Sequence, residues 1–165
     1  PVDMKAGASA YAAAVTALKS GELIGVFPEA GVSASFTIRD FKTGAARLAA
    51  EAGVPLIPLA LWGGQRLMTK NRKISLRERS NVPIVMVVGE PITVAATDDA
   101  LEATAQLKKA MEGLLKTAQK SYPVEGSGQW WHPRHLGGTA PTPEEAAAAD
   151  AARDARRAEA ARKNA

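Results

Sequence analysis

The chain has 165 residues, no cysteine and a formal charge of +4, from 21 Lys and Arg against 17 Asp and Glu. This length suits one domain of ordinary size. The lack of cysteine excludes a disulfide framework, a thiolate zinc site and a cysteine nucleophile. Hydrophobic residues make up 46%, but 34 residues are alanine, so the usable core is smaller than that percentage suggests. We expect neither a membrane span nor a secretory leader.

The first four predicted elements alternate between helix and strand. Helix-forming residues predict a helix over 6–20, and the apolar run 22–27 predicts a buried strand. Asp40 is expected to cap a second helix over 40–52. Residues 54–62 predict a second buried strand, which two prolines weaken. A strand, a helix and a strand make the βαβ pattern, which predicts parallel pairing.

Two further elements complete the predicted domain. The β-branched run 82–88 predicts a third strand, and Asp99 with Glu102 forms a capping box for a helix that ends near Lys120. The residues that this helix is expected to turn inward are Leu101, Leu107, Met111, Leu114, Leu115 and Ala118. The order of elements predicts an α/β fold with a partly parallel central sheet flanked by helices.

The composition divides the chain into three predicted segments. Residues 1–121 form the α/β domain, and residues 122–143 form an irregular arm rich in Trp, Pro and Gly. Residues 144–165 are an alanine-rich tail with five acids and five bases. Because the tail has no apolar face larger than alanine, we expect a frayed, solvated helix or a disordered segment.

Most of the positive charge lies in one basic stretch, residues 66–79, which holds six bases and one acid. The stretch is either a solvated loop between two strands or a surface that faces anionic phosphates. Neither aromatic residues nor a recognition element accompany these bases in the sequence, so we expect a membrane partner rather than nucleic acid. The candidate residues for this surface are Arg66, Lys70, Arg72, Lys73, Arg77 and Arg79.

A single carboxylate, Glu29, follows the first predicted strand among small residues. Open α/β sheets collect ligands at the carboxyl ends of their strands. Small neighbours such as Gly31 and Ser33 let backbone N–H groups approach a phosphate or a hydroxyl. Arg39 and Lys42 lie at the start of the next predicted helix, whose N-terminal amides favour anions. These five residues are the candidate binding residues, and a solvated loop carboxylate is the alternative interpretation.

The order of motifs resembles that of the glycerolipid acyltransferase family, whose members acylate lysophosphatidic acid and related lysophospholipids. In that family a Phe-Pro-Glu-Gly-Thr-Arg block binds the glycerol phosphate acceptor, and a Val-Pro-x-x-Pro block helps to shape the site. The matching residues here are Phe27, Pro28 and Glu29, then Phe41-Lys42-x-Gly44-Ala45, then Val54, Pro55 and Pro58.

The resemblance covers about residues 1–140. Pro1-Val2-Asp3 is similar to the end of a further block, which the family closes with Asp-Arg. The segment Trp130-Trp131-His132-Pro133 is similar to the arm of actinobacterial members. The resemblance implies that Glu29 binds the acceptor. Gly31, Ser33, Arg39 and Lys42 are added as acceptor-binding candidates from their size, charge and position.

Two departures affect the expected phosphate contacts. The family's Gly-Thr-Arg is replaced by Ala30-Gly31-Val32, and Met4 stands where an arginine closes the other block. Either Arg39, Lys42 or Arg47 substitutes for the missing arginines, or the acceptor is not a simple phosphomonoester.

The family's catalytic block is His-x-x-x-x-Asp, in which the histidine takes the proton of the acceptor hydroxyl and the aspartate orients the imidazole. Neither His132 nor His135 begins such a block, because Gly137 and Ala140 stand five positions further on. Histidines in this arm are expected to be packing or surface residues. We expect the chain to be the C-terminal portion of an acyltransferase, with no catalytic residue of its own and no activity alone.

The resemblance implies transfer of a fatty acyl group from acyl-CoA or acyl carrier protein to the hydroxyl of a 1-acylglycerol-3-phosphate-like lysophospholipid, in phospholipid biosynthesis. No metal or prosthetic group is expected, since the thioester is a co-substrate. We expect a peripheral position on the cytoplasmic face of the plasma membrane. Trp130 and Trp131 either lie at the membrane interface or clamp the arm onto the domain. The alternative function is a non-catalytic module that binds anionic membranes or lipid head groups.

Overall fold

The structure is a computed structural model that describes residues 7–29, 31–70 and 72–163, and it contains helices and strands, as the α/β prediction requires. Its elements in chain order are the helices α1 (Gly7–Lys19) and α2 (Gly44–Ala52), the strand β1 (Leu59–Trp62), a 3₁₀ turn (Gly64–Arg66), the strand β2 (Val85–Val88), the helix α3 (Ala100–Lys120), a second 3₁₀ turn (Arg134–Leu136) and the helix α4 (Pro143–Lys163).

The chain is divided into two compact units. The first unit draws its residues from 1–30, 39–62 and 84–121, and the second unit draws them from 31–38, 63–83 and 122–165. The first unit contains α1, α2, both strands and α3, whereas the second contains the 3₁₀ turns and α4.

The sheet of the first unit has two antiparallel strands in the part of the chain that the structure describes. Leu59 lies opposite Val88 and Trp62 lies opposite Val85. The predicted partly parallel sheet is therefore not the arrangement that these strands adopt. The reason is that the second and third predicted strands pair directly with each other, without a partner from the first predicted strand.

Both strands are shorter than predicted because of proline. The N–H that proline lacks is needed for a ladder of hydrogen bonds, so proline weakens a strand at its own position. β1 begins directly after Pro58 rather than at residue 54, and β2 begins two residues after Pro83 rather than at residue 82. The backbone before β1 is held by a single bridge between Leu56 and Ile92.

Residues 22–27, predicted as a buried strand, form no strand among the residues described. Leu23 and Phe27 are each 92% exposed. A strand requires a neighbour that pairs with its backbone groups. The first bridge that this part of the described chain makes is at Glu29, opposite Phe41. The predicted βαβ unit is wrong for that reason.

Helix α2 begins four residues later than predicted, and its N-cap residue is Thr43 rather than Asp40. Asp40 instead pairs with Lys108 of α3 at 2.8 Å. The helix ends as predicted at Gly53, which adopts a left-handed conformation (φ 69°) and donates its backbone N–H to the carbonyl of Ala49. This conformation is unfavourable for residues that carry a Cβ atom, so glycine suits the position.

Helix α3 confirms Asp99 as the cap, since its carboxylate accepts a hydrogen bond from the N–H of Leu101 at 2.9 Å. The predicted capping box is not complete among the described residues, because the Glu102 side chain does not bond back to the N–H of Asp99. Its buried residues include Leu107 and Ala118, as predicted. Leu101, however, is 70% exposed. At about 100° per residue, the buried positions Ala103, Leu107 and Ala118 share one face of the helix, and Leu101 lies to the side of that face.

The core of the first unit is small and rich in alanine. Its buried members come from α2, from the segment after β2 and from α3: Ala45, Ala46, Ile92, Val94, Ala103 and Leu107. Helix α3 contacts both strands and α2, and α1 contacts α2. One face of the sheet packs through Ala60 and Trp62, whereas Leu59 and Leu61 point to the exposed face.

The second unit is built around Trp131, which is only 3% exposed. The rings of Tyr122 and Trp131 meet edge to face, with centroids 5.6 Å apart. The Tyr122 hydroxyl donates to the carbonyl of Pro83 at 3.0 Å. Helix α4 is connected to the basic stretch through an ion pair between Lys70 and Asp150 at 3.2 Å.

Within the ranges that the structure describes, no helix has both the length and the apolar character that crossing a bilayer requires.

Candidate functional site

Glu29 is held in a hairpin-like arrangement in the first unit. Glu29 and Phe41 form an antiparallel bridge, and the N–H of Lys42 donates to the carbonyl of Pro28 at 2.9 Å. The Glu29 carboxylate accepts a hydrogen bond from the backbone N–H of Arg39 at 3.0 Å. These contacts bring three predicted site residues together, namely Glu29, Arg39 and Lys42.

A lysine from α3 adds to the charge of this region. Lys108 Nζ lies 2.8 Å from the Asp40 carboxylate, and this hydrogen bond raises the pKa of Lys108 and lowers the pKa of Asp40. The negative charge of Glu29 also raises the pKa of Lys108. The described contacts of the region therefore combine the carboxylates of Glu29 and Asp40 with the ammonium of Lys108, and Arg39 and Lys42 join them through their backbone N–H groups. Such a set suits a ligand that carries both hydroxyl and anionic groups.

Arg39 and Lys42 do not lie in the first turn of a helix, as predicted, because α2 begins only at Gly44. They lie instead in the extended segment that pairs with residues 28 and 29. Their position beside Glu29 thus depends on backbone pairing and not on helix N-terminal amides. Arg47, the third substitute considered, stacks on the ring of Tyr11 with 5.8 Å between its guanidinium carbon and the ring centroid.

Gly31 and Ser33, the other two predicted acceptor-binding residues, belong to the second unit. There the hydroxyl of Ser35 lies 2.8 Å from that of Ser33 and 2.7 Å from that of Thr37. Ser35 and Thr37 also line a cavity of about 320 Å³, together with Arg134, His135, Pro141, Thr142, Pro143 and Glu144.

The residues predicted to shape the site differ in their surroundings. Pro58 is fully buried, and its carbonyl accepts a hydrogen bond from the N–H of Gly89 at 2.9 Å. Pro28 is buried, whereas Pro55 is exposed. Val54 is half-buried and belongs to the same unit. Phe27 is almost fully exposed, so it does not pack within the described part of that unit.

Two arginines of the basic stretch contact aromatic rings. The guanidinium carbon of Arg66 lies 4.9 Å from the ring centroid of Trp131, and Arg66 also donates to the Tyr122 hydroxyl at 3.0 Å. Arg72 stacks on Trp130 at 4.3 Å. The remaining predicted residues after Arg72 are exposed: Lys73, Arg77 and Arg79.

Sequence reasoning missed several contacts of these regions. It assigned no role to Lys108, which lies 68 positions from Asp40 and carries no local signal of that pairing. It also found no aromatic residues beside the basic stretch, although Trp130 and Trp131 stack on its arginines. The contacts among the hydroxyls of Ser33, Ser35 and Thr37 were also missed, because they depend on a turn over residues 34–37 in which Phe36 has a positive φ of 55°.

The two histidines of the arm have different surroundings. The ring of His132 meets that of Trp131 edge to face, with centroids 5.5 Å apart. A Cβ atom at Gly126 would lie less than 3.0 Å from the His132 ring, so the imidazole packs closely against Gly126. His135 is exposed and lines the cavity described above. No group of three or more potential metal ligands occurs in the ranges that the structure describes.

Three parts of the sequence resemblance lie outside the described residues. These are the segment Pro1-Val2-Asp3, the replacement at Met4 and the first position of the departure at Ala30.

Comparison with known proteins relates the first part of the chain to acyl-transferring enzymes. Residues 2–62 match a family model described as Acyltransferase. The matched segment contains Glu29, Arg39, Lys42 and the Val54–Pro58 block, and it covers somewhat more than a third of the chain. The match supports a relationship to acyltransferases at this general level. No curated protein and no solved structure shows significant similarity to the chain.

Proposed function

We propose that the chain supplies the acceptor-binding part of an acyltransferase that acts on a lysophospholipid of the 1-acylglycerol-3-phosphate type. The proposal includes the glycerolipid, actinobacterial-type subfamily, a role in phospholipid biosynthesis and a peripheral position on the cytoplasmic face of the plasma membrane. The observation that carries it is the bridge between Glu29 and Phe41, which gathers Glu29, Arg39 and Lys42 inside the segment that matches the acyltransferase model.

The chemistry requires the acceptor to be held by its head group. In this proposal the Glu29 carboxylate accepts a hydrogen bond from an acceptor hydroxyl, and the cations of Arg39 and Lys42 offset the acceptor phosphate. The hydroxyl oxygen then attacks the thioester carbonyl of acyl-CoA or acyl carrier protein, so that a C–O bond forms and the C–S bond breaks. The hydroxyl proton passes to a general base and then to the thiolate that leaves.

The general base is not assigned to this chain. We propose that it comes from a His-x-x-x-x-Asp block outside the 165 residues, because neither His132 nor His135 has an aspartate five positions further on. The purified 165-residue chain is therefore expected to form no product from lysophosphatidic acid and a fatty acyl-CoA. Product formation by this chain alone would contradict the proposed division of roles.

The test of Glu29 uses a longer protein in which this chain is joined to a His-x-x-x-x-Asp block. The change Glu29→Gln keeps an oxygen that can accept from the Arg39 N–H but removes the charge. Loss of a charge-assisted hydrogen bond corresponds to a fall of about ten- to a hundredfold in kcat/KM for lysophosphatidic acid.

The matched control for this test is Glu22→Gln, which removes the same charge at an exposed position of the same unit. Its kinetics should equal those of the unmodified protein. Unchanged kinetics in Glu29→Gln would instead assign Glu29 to the hairpin alone and remove it from the acceptor site.

A non-catalytic membrane module is the second candidate, and the exposure of Lys73, Arg77 and Arg79 is the observation that favours it. The two functions separate when acylation and vesicle binding are assayed on the same longer protein. Salt-sensitive binding to anionic vesicles without acyl transfer would favour the module. A filter-binding titration with duplex DNA and with RNA should show no salt-dependent affinity.

A further inference from the structure

We propose that the turn formed by residues 73–79 docks onto bilayers that contain anionic phospholipids, with Leu76 entering the head-group region. The phosphate-contacting residues in this arrangement are Lys73, Arg77 and Arg79. The inference deepens the membrane-binding candidate and rests on it, but it is independent of acyl transfer. The turn belongs to the second unit, whereas Glu29 belongs to the first, so the two surfaces can be tested by separate substitutions.

Three of the six bases in the basic stretch already contact other side chains of the second unit. Arg66 contacts Trp131 and Tyr122, and Lys70 forms an ion pair with Asp150 of α4. Arg72 stacks on Trp130 and pairs with Glu78 at 3.2 Å. The side chains of these three bases already contribute to the packing of the second unit. Arg72 is still 43% exposed, but Lys73, Arg77 and Arg79 are exposed and have no such contact among the described residues, so they carry most of the charge that is available to a partner.

The turn that carries these cations is held in a defined conformation. The Glu78 carboxylate accepts hydrogen bonds from the N–H of Ser75 at 2.9 Å and from its hydroxyl at 2.8 Å. Ile74, only 7% exposed, anchors the start of the turn. Because Glu78 is engaged with Ser75 and Arg72, its negative charge is already offset within the turn. A fixed turn loses less conformational entropy on binding than a mobile loop.

Leu76 is the feature that points to a lipid surface. Its side chain is 87% exposed, whereas Ile74, two positions earlier, is buried. The exposed cations Lys73, Arg77 and Arg79 all lie within three positions of Leu76. An apolar side chain with neighbouring Lys and Arg matches the interface of an anionic bilayer, where apolar groups enter the head-group region and bases contact phosphates.

The same surface is poorly suited to nucleic acid. Single strands are bound largely by stacking on aromatic rings. The turn itself contains no aromatic residue, and the rings of Trp130 and Trp131 are in contact with Arg72 and Arg66. An exposed leucine adds nothing to phosphate contacts along a nucleic-acid backbone, whereas it adds apolar burial at a membrane.

The test is co-sedimentation of the purified 165-residue chain with vesicles of phosphatidylcholine alone and of phosphatidylcholine with phosphatidylglycerol. The chain should bind only the anionic vesicles, and the binding should weaken as salt is raised. Each basic residue near an anionic surface contributes about fivefold to the partition coefficient, so Lys73→Ala, Arg77→Ala and Arg79→Ala together should lower it by roughly a hundredfold.

Two further variants separate this turn from a general effect of charge. Lys109→Ala, Lys116→Ala and Lys120→Ala remove the same number of charges from exposed positions of α3, and together they should change the partition coefficient much less. Leu76→Ser should weaken binding while leaving its salt dependence unchanged, because it removes apolar burial and no charge. Near-UV circular dichroism of the tryptophans checks that each variant keeps its fold.

Three results would overturn the inference. They are equal binding to neutral and anionic vesicles, equal losses in the turn and α3 triple variants, and binding that Leu76→Ser leaves unchanged. Failure of the unmodified chain to bind any vesicle would also refute the membrane-binding candidate. Failure to bind any vesicle would likewise count against the peripheral membrane position in the proposed function. The acyl-transfer step itself is tested separately, by the Glu29→Gln kinetics. Salt-dependent binding to nucleic acid that the turn variant abolishes would reassign the turn to that partner.

Discussion

Trp131 shows how one residue decides between two interpretations of the arm. A tryptophan at a membrane interface keeps its ring accessible to lipid, whereas a tryptophan that clamps the arm is buried. Trp131 is almost fully buried and contacts Tyr122, Arg66 and His132. These contacts support the interpretation that Trp131 clamps the arm onto the domain. Trp130 is half-buried between Phe36 and Arg72, so it too is engaged within its unit.

The ion pair between Asp40 and Lys108 should make the stability of the folded chain depend on pH. The pKa of Asp40 is lowered from 3.8 by its hydrogen bond to Lys108, so the folded protein binds this proton less tightly than the unfolded chain. The contribution of the pair is fully present above about pH 3.8 and is lost as the pH falls through the lowered pKa. Because the Asp40 side chain is fully exposed, the effect should be small.

The measurement is the urea midpoint of unfolding between pH 2 and pH 7. Asp40→Asn should lower the midpoint slightly at pH 7, and its difference from the unmodified chain should vanish at pH 2. Lys108→Gln should have the same effect at pH 7, and the double variant should be no less stable than either single variant. Additive losses in the double variant would show that the two side chains do not interact.

At the scale of elements, the cap of α3 is the feature most open to a direct test. Asp99 precedes the helix in an extended conformation, and its carboxylate satisfies the N–H of Leu101. Asp99→Ala leaves this N–H without its side-chain partner and should lower the free energy of unfolding by about 1 kcal/mol. Asp99→Ser retains a capping oxygen and should restore most of the loss. If urea denaturation showed equal destabilisation by Asp99→Ala and Asp99→Ser, the loss would not come from the capping hydrogen bond.

The elements that the sequence predicts well are those whose signals are local. Helix α3 follows from a cap and an apolar periodicity within its own residues, and the end of α2 follows from Gly53. Strands depend on partners that periodicity does not identify. The run 22–27 has strand composition but forms no strand among the described residues, and the two strands that do form pair antiparallel.

The candidate site shows the same division between local and distant information. The sequence predicted that Arg39 and Lys42 lie at the start of a helix next to Glu29. They lie beside Glu29 instead because Glu29 forms a bridge with Phe41. The contribution of Lys108 depends on the packing of α3 and was not predicted. The engagement of Arg66 by the arm likewise requires a contact across 56 positions.

At the scale of the whole molecule, the distribution of apolar residues is unusual. Of the 15 buried hydrophobic residues identified in the described part of the chain, eight are alanines. Many larger apolar side chains lie at the surface instead, and four of them share one face of the sheet: Leu59, Leu61, Met86 and Val88. Alanine contributes little apolar area, so the core contributes less stabilisation than the percentage of hydrophobic residues suggests. Contiguous exposed apolar patches in soluble chains bind other apolar surfaces or promote aggregation.

This sheet face should bind the dye 8-anilinonaphthalene-1-sulfonate in the folded chain at neutral pH. Leu61 and Met86 lie opposite each other in the ladder and are both exposed. Changing both to threonine keeps strand-favouring residues but removes much of the apolar surface, so the dye fluorescence should fall by about half or more. The thermal midpoint should change little, because neither side chain is part of the core.

The control changes Leu101 and Leu136 to threonine, which removes two exposed leucines outside the sheet. A fall in fluorescence as large in this control as in the sheet variant would show that the dye reports exposed leucines in general and not a continuous apolar face.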